Sequence, residues 1–111
     1  MCFKAGTLKL FQELAPSLDQ DRQYQNGEHI MCEFAAGTTF CLFLQGTGFR
    51  APGRSIGPLI DALVDHNCDT CGSVPIFFPS RNNDPSSGIL TSNAVFDPEG
   101  CTSNDQVARI C

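Results

Sequence analysis

Seven cysteines, at positions 2, 32, 41, 68, 71, 101 and 111 of a 111-residue chain, constrain this sequence more than any other feature. They run from one end to the other, as a covalent framework requires, rather than gathering in one metal-binding tract. A chain this short buries a small core with a thin stability margin, so cross-links are useful to it. Disulfides persist in oxidising compartments, and the pattern therefore predicts a secreted, extracellular protein. We read residues 1–111 as one domain.

Charge narrows the partners. Seven lysines and arginines stand against twelve acids, a net charge of −5, and the cations sit apart from one another. Phosphate backbones are bound by clustered cations, so nucleic acid is not an expected partner. The longest apolar run, Phe40 to Leu44, is far too short for a transmembrane segment. Met1-Cys2-Phe3-Lys4 does not read as a signal peptide, and we expect a mature chain in which Met1 is a start residue. No N-x-S/T acceptor occurs.

The spacing predicts a first helix after Gly6-Thr7, with Thr7 as cap and Leu8, Phe11, Leu14, Ala15 and Leu18 on one face, stopped or kinked near Ala15 by Pro16. Glu28 to Phe34 and Thr38 to Gln45 read as a hairpin around Ala36-Gly37. If those two are the turn residues, Phe34 opposes Thr39 and Cys32 opposes Cys41. The cysteines then form a non-hydrogen-bonded pair about 4.5 Å apart at Cα, close enough for a disulfide. A bulge at Gly37 would break that match. A second helix carries the stripe Ile56, Leu59, Ile60, Leu63 and Val64, with Ser55 as cap, Pro58 in its first turn and an end near His66. Val74 to Phe78 is an edge strand by virtue of Pro75, Phe78 to Gly88 a long loop, and Gly88 to Val95 a further strand. Interspersed helices and antiparallel strands point to an α+β fold, an α/β sandwich with both helices on one face of the sheet.

The motif Cys68-Asp-Thr-Cys71 admits three chemistries. A redox pair belongs at a helix N-terminus, whereas this one follows a helix and is flanked by Asp65 and Asp69. A zinc site could draw on His29-x-x-Cys32 with Cys68-x-x-Cys71, but alternate residues of a strand point to opposite faces, which separates His29 from Cys32. Structural anchoring by disulfides is the reading that remains. His66 suits the negative end of a helix dipole, and Asp61 with Asp65 form the solvated side of the second helix rather than an acid pair for glycoside hydrolysis. No serine sits in a G-x-S-x-G elbow. Nothing demands catalysis, a cofactor or a metal. Phe49, Phe77, Phe78 and Phe96 lie beside loops, where a contact patch competes with ordinary core burial.

One segment, GRSIGPLIDALVDHNCDTCGS from Gly53 to Ser73, resembles the killer protein four family, the virus-encoded killer toxins of smut fungi and their fungal and moss relatives. Weaker similarity continues through Ser87 to Thr91 and Asn93 to Val95 to Cys101, and the Cys32 to Cys41 spacing also matches. The resemblance implies a secreted sandwich of an antiparallel sheet and two helices. It implies a Cys2–Cys68 bridge, which leaves Cys71 to pair with Cys101 or Cys111 and one thiol odd. It further implies a non-enzymatic toxin or virulence effector, expected to be monomeric, that meets a surface or membrane protein of a competing fungus or plant host. In the prototype that protein is thought to be a calcium channel. An exposed lysine just before the hairpin's second cysteine matters for the prototype's activity; Thr39 stands there in this chain, with Arg50 and Arg54 the candidates to replace its charge. A cell-wall-binding module of the same fold is the second reading, and a zinc-binding module the third.

Overall fold

A computed structural model describes residues 6–35, 37–48, 50–77, 88–96, 101 and 108–111. Helix α1 (Thr7–Leu14) runs into a 3-10 turn at Ala15–Ser17, so Pro16 ends the helix as its missing donor requires. Strands β1 (Gln23–Tyr24), β2 (His29–Ala35), β3 (Thr38–Gln45) and β4 (Ala51–Pro52) precede a second 3-10 turn, Gly53–Ser55, and helix α2 (Ile56–Asp65). Strands β5 (Gly72–Pro75), β6 (Ile89–Val95) and β7 (Ala108–Ile110) complete the order.

The main sheet is antiparallel, in the order β5-β6-β3-β2-β7, and β1 pairs with β4 separately. The α+β class is therefore as expected. The hairpin register also holds: Phe34 opposes Thr39 and Cys32 opposes Cys41, with Gly37 at a positive φ of 76° that suits its turn. The irregularity sits not at Gly37 but between His29 and Met31. Strand β5 starts earlier than the sequence suggests, yet it lies at an edge, where Pro75 costs no ladder bond. Strand β7 was not anticipated; three residues carry too short a pattern to separate from loop.

Leu8, Phe11, Ala15 and Leu18 meet Ile56, Leu59, Ile60 and Leu63 in one core over the sheet residues Met31, Leu42, Leu44 and Leu90. The opposite face of the sheet carries a smaller cluster of Cys32, Cys41 and Cys101, flanked by Phe43, Val95 and Cys111. Two expected caps act differently. Ser55 precedes α2 but makes no cap; its Oγ donates to Pro52 O at 2.7 Å and closes the 3-10 turn. Thr7 is the first helical residue, buried, with no cap bond from its hydroxyl.

Cap duty falls instead to the C-x-x-C loop. Asp69 Oδ2 accepts from Gly6 N–H at 2.9 Å, and Asp69 O accepts from Leu8 N–H at 2.8 Å. A carboxylate there also suits the positive end of the α1 dipole. Ser92 Oγ donates to Thr70 O at 2.6 Å, so the same loop joins α1 to β6. Asp69→Ala should cost about 1 kcal/mol, the usual value of a lost N-cap, while Asp69→Asn should lose little of it. Thermal unfolding of the two variants side by side checks this; equal losses would contradict the capping role.

Candidate functional site

Cys32 and Cys41 are joined in a disulfide with Cα atoms 4.1 Å apart, as the hairpin register predicts. The other cysteines depart from expectation. Cys101 bonds Cys111, so neither is available to Cys71, which is disulfide-bonded to a partner outside the described residues. Cys68 is a free thiol, which excludes the expected Cys2–Cys68 bridge; Cys2 itself lies outside the described residues. The physical reason lies in the loop geometry. Cys68 N–H donates to Leu63 O at 3.1 Å at the end of α2, its side chain packs against the core, and a Cβ on Gly72 would come within 2.9 Å of its sulfur.

His66 takes the expected place at the end of α2, its Nδ1 2.8 Å from Ala62 O. It borders a cavity of about 300 Å³ with Cys68, Ser73, Val74, Pro75 and the α2 residues Ala62 and Leu63. Asp61 and Asp65 lie on the exposed side of α2, and Asp61 accepts from Gln12 Nε2 at 2.7 Å, linking the helices.

The four-ligand zinc set of His29, Cys32, Cys68 and Cys71 does not assemble. The bulge before Met31 places His29 opposite Phe43, on the same face as Cys32, which reverses the expectation from strict alternation. Its ring stacks at a tilt on Phe43, with centroids 5.9 Å apart. Cys68 and Cys71 instead precede β5, three strand positions from β2, and Cys32 is bonded to Cys41.

Thr39, Arg50 and Arg54 do not form one site. Arg50 is exposed after β3, by a shallow groove with Gln25, Asn26, Thr47 and Gly48. Arg54 sits on the 3-10 turn before α2 and pairs with Asp21 at the surface. Thr39 is at the opposite end of β3, beside the hairpin turn, across from Phe34 and Val95.

Among the described residues no helix covers the sheet face around Thr39, the open face of the sheet. Phe34 is 37% exposed and Phe96 fully so, and with Gly37, Thr38, Ala94 and Val95 they line a hollow of about 310 Å³. Phe96 was anticipated as an exposed aromatic; Phe34 was not, because its strand alternation alone does not say which face is covered. Phe77 is half-buried, and Phe49 and Phe78 lie outside the described residues.

No helix among the described residues is long and apolar enough to cross a membrane. No curated protein matches the chain. The Kp4 family model matches residues 1–96, which include both helices, the hairpin, the C-x-x-C loop and the strand β6 that flanks Thr39. The chain therefore belongs to the Kp4, or killer protein 4, family of toxins.

Proposed function

We propose that this protein is a secreted, non-enzymatic killer-toxin-like effector that engages a surface protein of competing fungal or plant-host cells through the hairpin end of its open sheet face, lowering their calcium uptake. The supporting observation is an exposed pair beside Thr39, Phe34 on the disulfide-closed hairpin and Phe96 at the end of β6. Rigid aromatic side chains on a fixed backbone lose little entropy on binding, which suits a contact surface. The toxin family supports the reading, and the cross-linked framework suits an extracellular protein. Thr39 has no charge, so the contact is made by shape and apolar area rather than by a cation entering a channel. Arg50, in the loop after β3, and Arg54, on the turn before α2, belong to other surfaces.

Purified protein should slow fungal growth or root elongation and reduce calcium influx in the same cells. Phe34→Ala together with Phe96→Ala should lower potency roughly tenfold or more, the loss expected from truncating anchor residues, with thermal stability nearly unchanged. Unaltered potency in the double variant would rule out this face. Co-sedimentation with wall polysaccharide without growth inhibition would favour a wall-binding module instead.

A further inference from the structure

The sulfurs of the two disulfides Cys32–Cys41 and Cys101–Cys111 touch. Cys32 Sγ lies 3.6 Å from Cys111 Sγ, and the sulfurs of Cys32, Cys101 and Cys111 all fall within 4.8 Å of one another. A ring nitrogen of His29 is likewise within 4.8 Å of the sulfurs of Cys32 and Cys41. Strand β7 brings this about: it pairs with β2, and Cys111 N–H donates to Ile30 O at 2.9 Å, setting Cys111 beside Cys32 on the open face. Cys32 and Cys41 are fully buried and Cys101 nearly so.

In a tetrahedral zinc–thiolate centre the Zn–S bonds are about 2.3 Å, which places the sulfurs about 3.8 Å apart. The Cys32–Cys111 contact is already close to that, and Cys41 joins the set through its bonded neighbour Cys32. We propose that, when both are reduced, Cys32, Cys41, Cys101 and Cys111 bind one zinc ion, with His29 flanking the site. Each disulfide takes two electrons and two protons from a dithiol, which leaves as its own disulfide. The four thiols then release four protons as Zn²⁺ binds four thiolates, and the metal keeps its oxidation state. In the oxidised protein the two disulfides only touch, whereas zinc would tie β7 to the hairpin by bonds through the same sulfurs. This set shares only Cys32 with the H-x-x-C and C-x-x-C combination suggested by sequence spacing.

The test uses the full chain reduced by a tertiary phosphine without oxygen, the phosphine taking an oxygen atom from water, and titrated first with Co²⁺ and then with Zn²⁺. One cobalt per chain should give the visible bands of tetrahedral Co²⁺ and a thiolate-to-metal charge-transfer band, both abolished by one equivalent of zinc. Zinc should slow alkylation of Cys32, Cys41, Cys101 and Cys111 by about tenfold or more, while Cys68 and Cys71 react freely. Cys32→Ser combined with Cys111→Ser should remove the bands, and Cys68→Ser combined with Cys71→Ser should leave them. Alkylation is mapped with and without zinc, so a reduced chain that unfolds and regains its fold only on binding metal still registers the site. Octahedral cobalt, no protected set, or protection of Cys68 and Cys71 in place of the four would overturn the proposal.

Discussion

Replacing Gly53 by alanine is expected to destabilise the protein by about 3 kcal/mol, the combined size of a backbone overpacking and loss of one or two hydrogen bonds. A Cβ at Gly53 would sit 2.1 Å from Asp19 O and 3.3 Å from Gln20 Cα, both backbone atoms that cannot swing aside like a side chain. The contact is tight because two segments interlock there. Gly53 N–H donates to Arg22 O at 2.8 Å and Arg54 N–H to Gln20 O at 3.1 Å, beside the short β1–β4 ladder. Moving the 19–22 segment away to admit a methyl group strains or breaks these bonds. The melting temperature should fall by roughly 15 °C for a domain of this size. Gly48→Ala is the control: a Cβ there meets nothing within 4 Å, so its melting temperature should barely move. A Gly53→Ala protein as stable as that control would disprove the interlock.

Glu33→Met should act in the opposite direction, stabilising the fold by about 2 kcal/mol at neutral pH by removing an uncompensated buried polar group. Glu33 is 1% exposed on the helix side of β2, and its Oε1 has no hydrogen-bond partner. Burial pushes its carboxyl above the ordinary value of 4.5, and the facing Thr7 hydroxyl opposes this more weakly. The folded state therefore holds this proton more tightly than the unfolded state does. The corresponding stability is fully present below the ordinary glutamate range and is lost as pH rises through the raised value. Wild-type protein weakens over that rise and the Met variant escapes this part of the loss, so the gain should be small near pH 4 and larger at pH 7. Urea unfolding at the two pH values measures it. A gain independent of pH would mean that Glu33 binds its proton equally well in the folded and unfolded states.

Both predictions rest on contacts between residues far apart in the chain, and there sequence reasoning reached least. The hairpin register was legible because it depends on two turn residues and a two-residue period; once Ala36 and Gly37 are the turn, Cys32 must face Cys41. The two helices were legible for a similar reason, each having an apolar stripe and a proline in a telling position. The one-residue bulge at His29 was not, since no glycine or proline marks it, yet it decides which face the histidine shares. The open patch was half legible: Phe96 stands at a strand end, but the exposure of Phe34 follows only from knowing that the helices cover the other face.

Sequence alone thus determined the fold class, the hairpin with its disulfide and the membership signalled by Gly53 to Ser73, because each depends on residues within a few positions of one another. Tertiary structure decided the remaining cysteine chemistry. Cys68 and Cys71 are equally plausible anchors in the sequence, but pairing requires Cα atoms within about 7 Å, and only the strand order shows that β7 carries Cys111 to Cys32 while the loop leaves Cys68 unbonded. Asp69 is another such case: its neighbours suggest a loop acid, and only the folded chain brings it to the helix that starts 62 residues earlier, where unsatisfied N–H groups give it a role.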